Sequence, residues 1–332
     1  MKHSLTFILA LCCHLMCGAQ ATSLTIDNQT PGWLSSKINY GDQTTVKNLT
    51  VTGYINQADL AFISDLMSKH NLSGHLNLTD VEIVDTKFSD LPTSGGTLKM
   101  FQLSKTVSIN RFSIPKSLSR ISPYLLAGVQ ADTIDYGSNE CYKLTPFLTN
   151  NAYFSSNISP KVLILRDGVS KIDKYYESSG LTKKNLLQIH LPQTLDSIGD
   201  NAFASCENLS HINMPDGIHT IGNYAFAGTS YKPDTLRLPS NLKKYYTRSF
   251  PRNPGQVIII PNTTESIDND EYGSNNLNSE TGIDRYDKYT IIINRIRPPR
   301  FKANYGPHYV DLSSCDLFVP KECIDLYKDL ST

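Results

Sequence analysis

The chain has 332 residues, enough to bury a large core either as one long unit or as two domains. Its 31 Lys and Arg residues balance its 31 Asp and Glu residues, so the formal net charge is zero. Nucleic acids and anionic membranes select proteins with a basic face. The balanced charge therefore argues against either of them as the main partner.

Residues 1–21 have the pattern of a secretory signal peptide. A short basic start, Met1–His3, precedes an apolar run over residues 5–16, which is shorter than the roughly 20 residues that span a bilayer. Ala19 and Ala21 supply the small residues that a signal peptidase reads, so cleavage is expected after one of them. A buried N-terminal helix is an open alternative. No later stretch is long and apolar enough to predict a membrane helix.

The cysteines indicate neither a disulfide framework nor a metal knuckle. Three of the seven lie within residues 1–21, where a lipoprotein signal is a second alternative. A lipidated cysteine normally follows a small residue, but here Leu11, Cys12 and Met16 precede the three cysteines. Those that remain are Cys141, Cys206, Cys315 and Cys323. No two cysteines form a C-x-x-C pair, so a zinc knuckle or a thioredoxin-type site is not predicted. Cys315 and Cys323 could meet across the final turn of the chain.

Residues 22–100 contain a predicted helix, which is followed by a predicted strand. Leu60, Ile63, Leu66 and Met67 are spaced as on one face of a helix, and Asn56 is a plausible N-cap. The sequence that follows, LSGHLNLTDVEIV, favours a strand.

From about residue 101 the chain shows an internal repeat that is marked by proline. Pro192, Pro215, Pro239 and Pro261 follow one another at steps of 23, 24 and 22 residues. Apolar residues occupy fixed slots relative to this proline. One residue before the slot stand Ile114, Leu165, Leu191, Met214, Leu238, Ile260 and Val319. Three residues before it stand Phe112, Leu163, Ile189, Ile212, Leu236, Ile258 and Leu317.

Each repeat predicts a short strand that ends at a corner. Apolar residues two apart indicate a strand with one buried face, and proline ends its hydrogen bonding. Further apolar residues, typified by Phe203 and Phe226, point back inward from another wall of the coil. One unit cannot cover these residues alone, so neighbouring units must stack into a solenoid with strands about 4.8 Å apart. The period lies inside the leucine-rich-repeat range of roughly 20–29 residues.

The repeat resembles the BspA-type leucine-rich repeat. The stretch LPQTLDSIGDNAFASCENL carries that family's pattern, with Cys206 and Leu209 on its cysteine and leucine positions. The closing segments IIINRIRPPRF and CDLFVPKECIDLYK are similar to the end of such proteins, so the resemblance covers about residues 101–330. It weakens at Tyr136-Gly137 and over the polar insertion at 262–289.

The repeat and the resemblance together imply an α/β leucine-rich-repeat solenoid, a right-handed β/α coil with one parallel sheet and capped ends. The predicted organisation is a signal peptide at 1–21, an N-terminal cap with a helix and degenerate repeats at 22–100, and repeats with a C-terminal cap helix at 101–332.

The sequence marks no catalytic, metal or cofactor site. Metalloprotease, serine-hydrolase, phosphate-loop and dinucleotide motifs are all missing. The stretch DNDEYG at 268–273 partly resembles a calcium loop, but Tyr272 stands at one ligand position and Ser279 at the last. A basic cluster at Arg295, Arg297, Arg300 and Lys302 could contact an acidic partner, or it could be a solvated edge.

The period of two in the strands predicts a polar outer surface. The outward positions two and four residues before the proline slot form two adjacent columns. The candidate ligand-binding residues on them are Gln188, His190, His211, Asn213, Thr235 and Arg237. Solenoids bind large partners on such faces, although a merely soluble face would have the same composition.

The resemblance implies a function in binding rather than catalysis. Relatives of the BspA type are implicated in adhesion, so the expectation is a secreted or cell-surface protein that binds an extracellular protein or glycan, with no nucleic acid partner. An accessory or structural envelope protein associated with glycan binding or uptake is the alternative. No cofactor is expected.

Overall fold

Two short parallel strands recur along the chain, one directly before each repeat proline and one about six residues after it. We call them the leading and the trailing strands. The computed structural model describes residues 22–70, 72–84, 100–101, 103–118, 126, 128–137, 160–174, 185–246, 248–251, 253–269, 289–295, 297–303 and 315–328. The predicted signal peptide lies outside these residues.

The elements follow one another in chain order. The N-terminal part contains β1 (Thr22–Asn28), α1 (Leu34–Lys37), α2 (Tyr40–Thr45), β2 (Val46–Ile55), α3 (Gln57–Lys69), β3 (His75–Asn77) and β4 (Val81–Ile83). The leading strands that follow are β5 (Val107–Ser113), β6 (Val129–Tyr136), β7 (Val162–Leu165), β9 (Gln188–His190), β11 (His211–Asn213), β13 (Thr235–Arg237), β15 (Val257–Ile260), β17 (Tyr289–Ile293) and β19 (Cys315–Phe318). The trailing strands are β8 (Lys171–Ile172), β10 (Ser197–Ile198), β12 (Thr220–Ile221), β14 (Lys244–Tyr246), β16 (Ser266–Asn269) and β18 (Arg300–Ala303). A 3-10 turn (Lys321–Cys323) and α4 (Ile324–Lys328) close the described chain.

The predicted helix near the N-terminus is confirmed as α3, with Asn56 as its cap. The Asn56 side chain accepts hydrogen bonds from the first turn, and the Asp59 carboxylate accepts from the backbone of Asn56, which completes a capping box. Asp59 is buried and also accepts from the backbone N–H groups of Gly32 at 2.6 Å and Leu34 at 2.9 Å. One carboxylate therefore fixes the start of α3 and the chain that leads into α1.

The strands form three parallel sheets. The first sheet has the order β1-β2-β3-β5-β6-β7-β9-β11, with β4 also beside β2. The second sheet consists of the trailing strands in the order β18-β16-β14-β12-β10-β8, and the third is β13-β15-β17-β19. The leucine-rich-repeat solenoid that the sequence predicts is confirmed, because leading strands pair with leading strands and trailing strands with trailing strands.

The expected single sheet and the expected helical return segments need correction. Trailing strands form a ladder of their own, since Ile198 and Ile221 face inward in register as the leading apolar residues do. Turns rather than helices connect the strands where the connections are described, as at 199–210 and 222–234, and within the described residues the helices lie near the two ends. The described coil is therefore mostly strands and turns.

A break in the ladder of leading strands accounts for the third sheet. No described pairing joins β11 to β13, although both precede a repeat proline. In the preceding repeat the amides of Ser210 and His211 both donate to the carbonyl of Leu187. The corresponding residues, Asp234 and Thr235, follow Pro233. The coil stays joined on its other side, where β12 pairs with β14.

The core runs along the axis of the coil. The Phe203 and Phe226 rings are completely buried and stack with centroids 5.2 Å apart, as the repeat predicts, and Phe250 continues the stack 4.9 Å from Phe226. Beside them, Gly199 and Gly222 let neighbouring repeats approach closely. A Cβ atom on Gly222 would lie 2.4 Å from the backbone nitrogen of the preceding repeat's Asp200.

The C-terminal turn and helix are held by the segment with the predicted basic cluster. The Arg295 carbonyl accepts a hydrogen bond from the Tyr327 hydroxyl at 3.0 Å, and burial raises the pKa of Tyr327 to about 12. The Cys323 thiol also points to that carbonyl and is not in a disulfide, while the side chain of Cys315, its suggested partner, lies outside the described residues. Arg295 itself donates to the Thr264 carbonyl, which makes it a structural residue of the cluster.

Candidate functional site

The outer side of the first sheet carries two continuous columns of side chains, which we call the outer face. Strand register places His75, Arg111, Thr133, Val162, Gln188 and His211 in the first column. It places Asn77, Ser113, Asp135, Ile164, His190 and Asn213 in the second column. The residues between the columns point inward and are fully buried from β3 to β9, namely Leu76, Phe112, Ile134, Leu163 and Ile189. Six rungs at about 4.8 Å make this face roughly 24 Å long.

Four of the six predicted binding residues meet as the sequence predicts. Gln188 lies beside His211, and His190 lies beside Asn213. The two residues on β11 are exposed and the two on β9 are half-buried. The Gln188 amide nitrogen donates to Nε2 of His190 at 2.8 Å, so this pair presents a joined polar surface.

Asn213 is engaged with the backbone of the neighbouring repeat. Its side-chain oxygen accepts from the Leu191 N–H at 2.7 Å, and its side-chain nitrogen donates to the Leu191 carbonyl at 2.9 Å. The amide thus substitutes for one rung of backbone pairing. Asn213 stabilises the corner at Leu191 and offers a ligand less than its exposure suggests.

The other two predicted residues lie beyond the break in the ladder. Thr235 and Arg237 are exposed and start the third sheet, where they pair with Val257 and Ile259. The structure does not continue the columns from Asn213 to Arg237 by strand pairing. Within the described part of the chain, no ion pair engages Arg237.

The densest polar group of the outer face was not predicted. It lies at the end of the face away from β11, on β3, β5 and β6 and directly after β7. We call His75, Arg111, Ser113, Asp135 and Arg166 the arginine cluster. Nη2 of Arg111 donates to Oδ2 of Asp135 at 2.7 Å, and the Ser113 hydroxyl donates to the same oxygen at 3.2 Å. Nε2 of His75 lies 2.8 Å from the Ser113 hydroxyl. Asp135 is only 7% exposed, so its negative charge is buried against these groups.

Arg166, which follows the neighbouring strand β7, stabilises this cluster. Its guanidinium donates to the Thr79 hydroxyl at 2.8 Å and to the Ile114 carbonyl at 2.6 Å. Its Nε lies 3.6 Å from Oδ1 of Asp135, which is an ion pair but too long for a hydrogen bond. Arg166 therefore ties together several repeats, and its hydrogen bonds are made within the chain.

The cluster keeps polar atoms that no described group satisfies, and its histidine is pushed toward the neutral form. The atoms are Nε of Arg111, Nε of Arg166 and Oδ1 of Asp135, all of them buried. Burial lowers the pKa of His75 below its ordinary value of 6.5, the charge of Arg111 lowers it further, and Asp135 opposes the shift. With His75 neutral, two guanidinium groups face one carboxylate.

The sequence did contain a signal for this cluster. Arg111 and Ser113 stand four and two residues before Pro115, the same outward slots as the predicted binding residues. Asp135 and Arg166 are harder to find, because the repeat between them has lost its proline and the spacing has changed. Sequence periodicity cannot align positions across such an interruption.

The arrangement of serine, histidine and aspartate is not that of a hydrolase. A catalytic serine gives its proton to a histidine that a carboxylate orients. Here the carboxylate of Asp135 contacts Ser113 rather than His75, and Ser113 is only 1% exposed. These contacts indicate a polar network in the sheet face rather than an activated nucleophile.

The described residues include no group of three or more His, Cys, Asp or Glu side chains placed to hold a metal ion. In the calcium-like stretch the Asp268 carboxylate bonds Lys244 at 2.9 Å, and residues 270–273 lie outside the described structure. None of the helices in the described part of the chain is long and apolar enough to cross a membrane.

The comparison with protein families agrees with the repeat. A family described as "BspA type Leucine rich repeat region" matches residues 174–288 in six copies. No curated protein sequence matches the chain. A solved structure of a leucine-rich repeat protein from Bacteroides ovatus is similar at 15% identity and a TM-score of 0.32. The match covers 67% of this chain and 58% of that protein.

The matched segment contains the leading and trailing strands from β9 to β16 and the stacked phenylalanines. Strands on both sides of it pair directly with its outermost leading strands, β7 with β9 and β17 with β15. Residues 174–288 thus match the BspA-type family, which the sequence of this region resembles.

Proposed function

We propose that this chain is a non-catalytic interaction protein that binds a protein partner on its outer face. The observation that carries the proposal is a parallel sheet whose outer side bears two columns of mostly polar side chains, most of them at least partly exposed. Parallel sheets normally have both faces covered by other elements. Repeat solenoids use such open faces for large partners.

The proposal also specifies where the protein acts and what kind of partner it binds. Residues 1–21 would direct export, residues 22–100 would cap the coil, and the mature protein would act outside the cell or on its surface. The partner would be an extracellular protein, as in adhesion, which is the function that the family resemblance implies. The signal-like N-terminus and the BspA-type repeats support this.

Export can be tested by N-terminal sequencing of the protein from the culture medium and the cell envelope. A mature chain that starts at Gln20 or Thr22 is expected. An intact Met1, or a lipidated Cys17, would contradict the proposed processing.

The binding face can be tested by steric blocking. Purified protein is first used to capture partners from host-matrix and envelope extracts, and the identified partner is then titrated against two variants. His190→Trp places a large ring on the outer face, and Ser197→Trp places the same ring on the second sheet. Loss of binding by His190→Trp alone is expected. Equal loss by both variants, or by neither, would contradict the outer face as the binding surface.

Capture of a glycan rather than a protein would favour the alternative role in glycan binding or uptake.

A further inference from the structure

The charges of the arginine cluster do not balance. Arg111 and Arg166 contribute two positive charges, Asp135 contributes one negative charge, and His75 is held toward its neutral form. Asp80 also acts on Arg166, but its carboxylate is paired with Lys116 at 3.0 Å. Partly buried charge is costly unless an opposite charge pairs with it. The cluster therefore has one positive charge more than its described groups neutralise.

Arg111 is the group that can meet a ligand. Arg166 uses both terminal nitrogens on Thr79 and Ile114, and its side chain is 16% exposed. The Arg111 side chain is 42% exposed, and the described residues engage it through Nη2 alone. Among the described residues its Nη1 has no hydrogen-bond partner, so this edge is the one that a ligand could use.

We propose that Arg111 docks a carboxylate from an acidic segment of the protein partner. This inference rests on the proposed function and deepens it, because it names the chemistry of the partner.

Charge selects a carboxylate over a phosphate. The planar guanidinium fork matches a carboxylate, and charge-assisted bonds of this kind are the strong ones. One surplus positive charge balances one monoanion. A dianionic phosphate would leave an excess of negative charge beside the buried Asp135.

The neighbouring rungs favour a protein over an acidic sugar. Val162 and Ile164 follow Thr133 and Asp135 along the two columns, and both are half-buried. They offer apolar contact next to the charged group. A segment with an acidic side chain beside an apolar one fits this pattern, whereas a sugar would need hydrogen-bonding groups in their place.

The test measures binding of a fluorescent oligoglutamate peptide by anisotropy in about 50 mM salt, where screening is weak. An oligoglutamine peptide and an oligouronate are measured in parallel. The intact protein is expected to bind oligoglutamate more tightly than either. Arg111→Gln is expected to weaken oligoglutamate binding about tenfold, the size expected for a charge-assisted hydrogen bond.

Asp135→Asn should act in the opposite direction, because it removes the carboxylate that competes for Arg111. Binding of oligoglutamate should tighten severalfold. The matched controls are Lys161→Gln and Asp132→Asn, which alter net charge equally but change an exposed ion pair outside the cluster. Both controls should leave binding nearly unchanged.

Arg111→Lys is the control for misfolding. It keeps the positive charge beside Asp135 but removes the planar guanidinium group. It should melt like the intact protein and still bind oligoglutamate more weakly. Equal effects of the Arg111 and Lys161 variants, or tighter binding of oligouronate than of oligoglutamate, would overturn the proposal.

The same variants are then titrated against the captured partner. If His190→Trp blocks that partner and Arg111→Gln does not, the carboxylate site is wrong while the proposed function stands. If the peptide results hold and His190→Trp has no effect on the partner, the proposed function fails instead.

Discussion

Single residues determine how closely the repeats stack, and Gly222 is the clearest case. Alanine at this position should destabilise the protein by about 2–4 kcal/mol, because its Cβ meets backbone that cannot move aside. Urea unfolding measures the loss. Gly255→Ala is the control: its added Cβ contacts nothing within 4 Å, so only the cost of its positive φ, about 1 kcal/mol, is expected. Equal losses would contradict close stacking at Gly222.

His75 should make stability depend on pH. Its pKa in the folded protein is lowered, so the stability that neutral His75 provides is complete above its ordinary value of 6.5 and is lost as pH falls through the lowered value. His75→Gln should therefore lose less stability than the intact protein between about pH 7.5 and about pH 5, as measured by urea unfolding. His211→Gln, at an exposed position in the same column, is the control. A parallel decline in all three proteins would contradict this role.

Arg237 remains the sharpest of the candidate binding residues that the sequence predicts. Arg237→Ala should leave folding almost intact, because the side chain is exposed, and should weaken partner binding by about 1–2 kcal/mol. Surface plasmon resonance with the captured partner measures the change. Arg300→Ala, on the exposed C-terminal part of the second sheet, is the comparison. A clear loss for Arg300 alone would move the binding site to the C-terminal edge.

At the scale of the elements, the break between β11 and β13 should be visible in the backbone. Alternate amides of a parallel strand point to opposite neighbours. The His211 amide points to β9, so the Ile212 amide points toward the missing pairing with β13. We expect the Ile212 amide to exchange with solvent at least about tenfold faster than the Ile189 amide, which lies between paired strands. Equal protection in hydrogen-exchange measurements would show that another group closes this gap.

At the scale of the whole molecule, the sequence predicted the coil and its core because both depend on periodic apolar slots. Phe203, Phe226 and Ile189 are buried where their slots place them. The break could not be predicted from that pattern, since Thr235 and Arg237 keep the regular spacing.

The candidate site was predictable only in part, for a related reason. Gln188, His190, His211 and Asn213 lie on regular repeats, so counting residues was enough to bring them together. The arginine cluster joins residues as far apart as 75 and 166 across irregular spacing. The engagement of Asn213 with Leu191 also lay beyond prediction, because it depends on the direction of one amide rather than on its position.

The broken ladder also has a mechanical consequence. Two neighbouring repeats are normally joined by pairing of both their leading and their trailing strands. At this point the leading strands are not paired, and the repeats are joined by the trailing strands and by the turns, where the Phe226 N–H donates to the Ser249 carbonyl and the Asn241 N–H donates to the Asp216 carbonyl. Because the leading strands are not paired here, we expect this joint to open more easily on that side when the coil is bent or stretched. Tension between a surface and a bound partner would concentrate at this joint and change the distance from His211 to Arg237. The affinity for a ligand that contacts both residues would then depend on the force applied to the complex.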